Sequence, residues 1–577
     1  MIAFILAWIT ISFVLVTWGE IFLSIYNKLC KQSEQYNLID KLLLGLSLLI
    51  IPLSVWSLWL PSNHYFLFVS TGISIAYWFV RRKYLQKQIK KFKSQIKELS
   101  KLELGIIILA IMIILCSSLW VEGVFDSVFY HHQNIRWNEQ YSVVPGLGNL
   151  DDRFAFNSNY LLISAMFTFR FLFGEAIYPL QSCVLIFFVF WIFHELFTSK
   201  YEIKRTILLF SFVLFYFVNI KFLLDTSTDI LPNLIAYYLI AKIILYPDFI
   251  KKNYLLGLAA PIFAITCKLS IAPFILISGY ILFRLVKERN YRPLFFALAI
   301  TLLIVTPWLI RNVILSGYLI YPFSGIDLFS FDWKIPAHIG IKQQEYIKHI
   351  GDHFFNAVIL HPAAKSRDPL WINLLTTFIY ILTTISLITA SINLWIRRKQ
   401  IEISAYIVFG VICIILITWF MNGPDARFAH GILAAAIMTG GASFFLTNKR
   451  DIQTPKLSVC IISLFLILSA GWSAKRTQDK YTTLTEVETN RERPFSSIIY
   501  RPYPYDIYLG INRNTHFKPY SLNNGIIIYI SSSYHTYDML PASTEMGDAG
   551  KLCNYKCLEA RGHSLQDGFR LKVECKD

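Results

Sequence analysis

Apolar stretches of about 18 residues or more, long enough to cross a hydrocarbon core, recur along the chain and are separated by polar connections. The pattern predicts membrane-crossing helices over 3–27, 42–60, 65–80, 102–120, 176–197, 206–222, 230–246, 254–267, 271–284, 293–310, 371–394, 403–420, 428–446 and 457–474. Basic residues fill alternate connections: Lys28 to Lys41, Arg81 to Lys101, Lys200 to Arg205, Lys251 and Lys252, Arg284 to Arg292, Arg397 to Lys399, and Lys449 to Lys456. The positive-inside rule makes these cytoplasmic and puts the N-terminus, the loops 121–158 and 311–370, and the tail 475–577 outside. Residues 159–173 are apolar but short and carry Arg170, so they are expected to lie at or dip into the interface. Between the short spans 254–267 and 271–284 a tight outer turn presents Lys268, or else a helix is broken at membrane depth.

After 474 the composition changes. The tail is polar, is proline-rich around 493–504, and has strand-like runs at 525–530 and 569–573, which predicts a small mixed or β-rich extracytoplasmic domain after a helical domain 1–474. The fold class is therefore an all-α polytopic membrane protein carrying a small C-terminal mixed/β domain. Composition agrees: of 577 residues 55% are hydrophobic and 16% charged, with mean hydropathy +0.50, against about 25% charged in soluble domains. The net charge of +17 fits basic loops facing anionic lipid better than it fits nucleic acid. The first apolar segment reads as a retained helix, with no signal-peptide cleavage site. Six cysteines lie in or beside apolar segments. Cys553, Cys557 and Cys575 cluster in the tail, which predicts one disulfide, from Cys575 to one of the other two.

The candidate chemistry is all in outer connections. The first long loop reads VEGVFDSVFYHHQNIRWNEQY. If 127–141 is helical, Asp126, Tyr130, Asn134, Trp137 and Tyr141 share a face suited to a sugar. Asp126 is equally placed to cap that helix. The following PGLG implies a tight fixed turn. LLDTSTDILPN supplies Asp225 and Asp229 next to a helix start, where N-capping by Asp229 or a nearby Thr is the favoured role. NGPDARF supplies Asp425 and Arg427, which either pair with each other or offer a guanidinium fork to a phosphate. His349 and His353 have helical i, i+4 spacing beside Asp352, but no third metal ligand is evident. There is no P-loop, GxGxxG or Cys-x-x-Cys motif to support ATP or nicotinamide chemistry.

Taken together, FDSVFYHHQNIRW with VPGLGNL and FNSN, PWLIRN with SGYLIYP, GPDARF and the final RGHSLQDGFRL resemble a set of bacterial membrane proteins. More widely, the chain resembles the GT-C superfamily of polytopic glycosyltransferases that use polyprenyl-phosphate sugars. The resemblance implies a GT-C-like helix bundle in the bacterial plasma membrane. It also implies transfer of a sugar from a polyprenyl-phosphate donor to a glycan or protein acceptor on the extracytoplasmic face. The superfamily's early acidic residue maps to Asp126, with Glu122 as competitor. Tyr130, His131, Arg136, Trp137, Asp229, Lys268, Arg311, Asp425 and Arg427 are the candidate substrate-binding residues. Ser127 stands where the superfamily has a second acid, so a divalent metal ion stays an open cofactor. Partial desolvation is expected to raise the Asp126 pKa above about 3.9, favouring it as a base. A transporter or flippase and an O-antigen ligase or polymerase for lipid-linked glycans are the alternatives.

Overall fold

The computed structural model describes residues 1–120, 123–360, 369–446, 452–487, 513–533, 535–544 and 555–575, with the single residue 499. Each of the fourteen predicted stretches overlaps a helix. Among the described residues nine are long and apolar enough to cross a membrane: Ile2–Cys30, Leu38–Trp56, Lys101–Ser118, Leu180–Thr198, Leu269–Lys287, Tyr291–Ser316, Leu370–Ile396, Ile403–Asn422 and Pro455–Thr482. The other five, His64–Val80, Ile203–Val218, Ile230–Leu245, Tyr254–Cys267 and His430–Ser443, run only 14 to 17 residues. For three of them the shortness has a packing reason, whereas most of His64–Val80 is not buried. Every residue of Ile230–Leu245 is buried, and nearly every residue of Tyr254–Cys267 and His430–Ser443. These helices sit in the middle of the bundle, where neighbouring protein can satisfy the backbone at their ends.

The outside of the bundle is apolar, with Phe283, Phe295, Leu302, Ile417 and Ile467 all exposed. The interior holds paired charges near one end: Lys242 with Asp40, which also accepts from Tyr238 Oη at 2.6 Å, and Lys41 with Glu20. Burial of these ions is tolerable because each has a partner.

Residues 159–173 do not form one helix. Asn159–Met166 is wholly buried, and the chain breaks at Phe169 (φ 52°) before the short turn Arg170–Phe173. Lys268 occupies the expected turn: it is extended (φ −154°, ψ 125°), and the 3-10 turn Leu269–Phe274 leads into Ile275–Lys287.

The last long helix, Pro455–Val487, runs past the predicted end at 474. The strands expected at 525–530 and 569–573 are present. β1 (Phe517–Ser521) pairs antiparallel with β2 (Ile527–Ser531), and β3 (Ala542–Thr544) joins β2 in parallel. β4 (Leu558–Ala560) pairs antiparallel with β5 (Phe569–Leu571). The proline-rich stretch 493–504 lies outside the described residues apart from residue 499. These strands share one core with the first outer loop, in which Phe129, Trp137, Leu147 and Phe154 pack with Ile528, Leu558 and Phe569.

The PGLG turn is the tightest joint of that core. Gly146 has φ +63°, and a Cβ there would stand 2.1 Å from the Phe569 carbonyl oxygen. Gly568 has φ +88°, and its Cβ would stand 2.0 Å from the Pro145 carbonyl, which accepts from Phe569 N at 3.0 Å. Both positions need a residue that tolerates the left-handed region and has no side chain.

Cys557 and Cys575 form the tail disulfide, with Cα atoms 5.9 Å apart; Cys553 lies outside the described residues. It closes a loop with a sequence separation of 18 residues across the β4–β5 hairpin. Cys557→Ser is expected to cost about 2–4 kcal/mol of local stability. Limited proteolysis of the intact protein should then cut within 555–575 while the helices stay protected, and an unchanged cleavage pattern would show that the bridge holds nothing.

Candidate active site

The helix that carries the first-loop block begins before Asp126. Ser127 N and Val128 N both donate to the Val124 carbonyl, so Asp126 already has helical backbone angles (φ −65°, ψ −32°). An N-cap needs extended angles to fold its side chain back onto the helix. The Asp126 carboxylate accordingly makes no cap hydrogen bond and projects sideways, which corrects the capping role. Ser127–His131 is a π-helical turn closed by His132 N on the Ser127 carbonyl, and His132–Gln140 continues as α-helix. Such turns recur at functional sites. This one shifts the register between Asp126 and the residues beyond the turn, while Trp137 stays beside Tyr141 with ring centroids 5.2 Å apart. Trp137 packs edge-on against Phe569 with ring centroids 6.2 Å apart. Arg136 donates to the Asp538 carbonyl at 2.9 Å and to its carboxylate at 3.1 Å. Both residues hold the tail and not the cluster around Asp126.

That cluster is built from distant segments. Arg427 Nη1 donates to Asp126 Oδ2 at 2.7 Å across 301 residues of sequence. Its Nε donates to Asp425 Oδ2 at 3.0 Å, and its backbone N–H donates to Asp425 Oδ1 at 3.0 Å. The guanidinium is thus shared by two carboxylates, and Asp425 both caps the 3-10 turn Ala426–Phe428 and pairs with Arg427. Arg153 approaches the other oxygen of Asp126 at 3.9 Å and lies over the rings of Phe129 and Tyr130 at 5.3 and 5.6 Å. Lys268 pairs with Asp229 at 2.9 Å. Asp229 makes no side-chain cap bond, so the favoured capping role is corrected there too: the carboxylate serves the lysine instead. Phe428 joins the two ion pairs, with Lys268 Nζ 4.9 Å and Arg427 Cζ 5.4 Å from its ring centre.

The electrostatics reverse one expectation. Burial does push the Asp126 pKa up, but Arg427, Arg153 and His131 outweigh it and hold the carboxyl well below the usual range. His131 is lowered to about 3, mainly by burial, so its imidazole is neutral. Neither ring nitrogen has a hydrogen-bond partner among the described residues. Asp225 is also held down: burial raises it, while His132 Nε2 at 3.3 Å and the backbone of Thr226 and Val124 outweigh that.

Arg311 is elsewhere. Buried at 2% exposure, it donates to Ser57 Oγ (2.6 Å), Asn138 Oδ1 (2.7 Å) and Asn157 Oδ1 (3.3 Å), tying the helix Leu38–Trp56 to the first outer loop. Glu122 lies outside the described residues. His349 and His353 sit on the helix Ala337–Leu360, and among the described residues no three His, Cys, Asp or Glu side chains are placed to hold a metal. Sequence reasoning missed Arg153. It sits inside the DDRF run, and no local pattern distinguishes it from the other outer cations.

Beside Arg427 a small pocket of ≈ 20 Å³ lies between the helices Ile203–Val218, Ala337–Leu360 and Leu370–Ile396. Half of its lining residues are apolar, including Phe222, Phe354, Val358 and Ile372, and Asn373, Tyr380, Asp425, Arg427 and His430 are among the polar half.

Residues 1–434 match a family model described as "Domain of unknown function (DUF8201)". No curated protein and no solved structure matches the chain.

A depressed carboxyl pKa stabilises the fold above the unfolded value of 3.8, and that contribution is lost as pH falls through the lower folded value. Asp126 should therefore stay ionised below about pH 4, where ordinary aspartates take up a proton. Arg427→Ala removes the strongest counter-charge and leaves the burial, so the Asp126 pKa should rise above the ordinary value, and Arg427→Lys should raise it less. Carbodiimide labelling of Asp126 against pH, read by mass spectrometry, measures both. Identical profiles in wild type and Arg427→Ala would show that the pair does not control the carboxyl.

Proposed function

We propose that this chain, which belongs to the DUF8201 family, is a multi-pass glycosyltransferase of the bacterial plasma membrane. It moves a sugar from a polyprenyl-phosphate donor to a glycan or protein acceptor. Nine apolar helices and an apolar outer surface support the membrane location. The basic connections put the Asp126 cluster, the N-terminus and the C-terminal region on the extracytoplasmic side.

The observation that carries the reading is the Asp126–Arg427 ion pair, with Arg427 lining a small pocket that has Phe222, Phe354, Val358 and Ile372 in its wall. A lipid-phosphate donor needs an apolar wall for its chain, a fork of N–H donors for its phosphate and a base for the incoming hydroxyl, and these three features meet here. The donor phosphate takes up Arg427, with Arg153 on the other oxygen of Asp126 and Lys268 against the Phe428 ring as further cations. Losing its share of the guanidinium returns Asp126 toward the high pKa that burial alone dictates. The freed carboxylate then accepts the proton of the acceptor hydroxyl. The hydroxyl oxygen forms the new bond to the anomeric carbon as the bond from that carbon to the phosphate oxygen breaks, and polyprenyl phosphate leaves with the electron pair. The resting ion pair thus keeps the base unreactive until a donor is bound. A divalent metal ion is not required by these residues, since Arg427 supplies the charge next to the leaving phosphate.

Asp126→Asn keeps size but removes proton acceptance. It should lower the rate about a hundredfold or more at normal membrane abundance. Arg427→Lys keeps the charge but loses the fork, and should weaken donor use with the protein still inserted. The readout is recovery of lipid-linked sugars and surface glycans in a deletion strain, with membrane levels quantified alongside. Full recovery with Asp126→Asn, while Glu122→Gln fails, would move the base to Glu122. Full recovery with both would end the glycosyltransferase reading.

A further inference from the structure

At the other end of the bundle lies a helix of a different kind. Arg82–Lys97 connects His64–Val80 to Lys101–Ser118, and none of its residues is buried. It carries Arg82, Lys83, Lys87, Lys90, Lys91, Lys93 and Lys97 and no acidic residue. At about 100° per residue these seven side chains fall on one half of the helix. Tyr84, Leu85, Ile89, Phe92 and Ile96 fall together on an arc of about 140° on the other half. The division between the two halves is complete.

The apolar arc rests on the bundle. Tyr84 stacks on Trp78 at 6.3 Å, Phe92 meets Phe190 at 6.2 Å, and Gln88 Oε1 accepts from Lys41 Nζ at 3.3 Å. All seven cations are exposed, and none has an ion-pair partner among the described residues. A surface helix that serves only solubility usually mixes both signs and gains from i, i+4 pairs. Seven like charges on one face repel each other unless an anionic surface faces them.

The position of the helix says which surface. The next helix, Lys101–Ser118, has 18 residues and so spans about 27 Å, close to the thickness of a hydrocarbon core. It ends a few residues before Asp126. The basic helix therefore lies one membrane thickness from the candidate active site, at the level of the opposite headgroups. Leu85 and Ile89 extend the apolar arc beyond the contacts with the bundle, and Ile89 is 44% exposed, which suits an edge dipping toward acyl chains.

We propose that Arg82–Lys97 is a docking surface for anionic phospholipid headgroups on the cytoplasmic leaflet, held flat against the membrane by its basic half. The proposal rests on the membrane location given above but not on the glycosyl transfer. It gives the bundle a fixed depth and tilt, and it gathers acidic lipids around the end of the protein opposite the reaction.

The full chain reconstituted in nanodiscs of phosphatidylcholine mixed with phosphatidylglycerol tests this. Lipids retained on the released protein are counted by native mass spectrometry, and a spin label at Gln86→Cys reports immersion. Wild type should retain phosphatidylglycerol in excess of its share, and the label should lose mobility relative to pure phosphatidylcholine. Each lysine replaced by glutamine among Lys83, Lys87, Lys90 and Lys91 should lower the preference about fivefold, and raised salt should do the same. These exposed side chains lie far from the Asp126 cluster, so the variants should insert normally. Equal retention of both lipids by wild type, or an undiminished preference in the fourfold variant, would overturn the proposal. So would displacement of the lipid by a co-purifying acidic protein or nucleic acid. Failure of the wild-type chain to enter nanodiscs at all would instead sink the membrane location itself.

Discussion

A largely buried guanidinium has to be paired, and the way Arg427 is paired organises the end of the molecule that carries Asp126. Leaving such a charge without a partner in a low-dielectric setting would cost several kcal/mol. Two carboxylates share the cost: Asp425, two residues away, and Asp126, brought from the other end of the helical region. To deliver Asp126, the first outer loop must start its helix at Val124 and widen it through a π turn. To keep Arg427 in place, its guanidinium lies against the rings of Phe222 and Phe428, 5.8 and 5.4 Å from their centres. Arg153 and the Lys268–Asp229 pair complete a network in which positive and negative groups alternate.

The C-terminal region is part of this arrangement. Tyr537 N donates to the Val128 carbonyl at 2.7 Å, and Thr536 Oγ1 donates to that of Phe129 at 2.6 Å, so the tail grips the π turn by its backbone. Asp538 binds both Arg136 and Arg170, and Gln133 Nε2 reaches the Ala542 carbonyl at 2.9 Å. The helix that carries Asp126 is therefore fixed on one side by the bundle and on the other by the strands.

What could be read in the sequence followed from local rules. Apolar runs announced the helices because a membrane-length run is a strong signal. The runs at 206–222, 230–246 and 428–446 look no different, yet they fold into short, buried helices, since burial in protein and in lipid select the same side chains. Asp126 and Arg427 were each legible as chemistry, but their contact was not, because nothing local links residues 301 apart. The direction of the Asp126 pKa was misjudged for the same reason: desolvation can be inferred from a loop at a helix end, whereas the counter-charges come from elsewhere. The offset between Asp126 and Trp137 is not legible because regular 3.6-residue spacing does not hold across a wider turn. The tail disulfide and two of its strands were legible because they are local.

The interlocking glycines carry a consequence for biosynthesis. The first outer loop emerges early, but Asn149 Nδ2 finds the Phe569 carbonyl only after 420 more residues have been made. At ordinary rates of translation that is an interval of about 20–80 s. Throughout it, the Pro145 carbonyl lacks the Phe569 N–H that it accepts from in the finished fold. The turn that follows the Asp126 helix is consequently finished last, by the final strand to leave the ribosome among those described, although its own residues are among the earliest to appear. A chain interrupted before residue 569 would have its helices in place and no means of closing the turn above them.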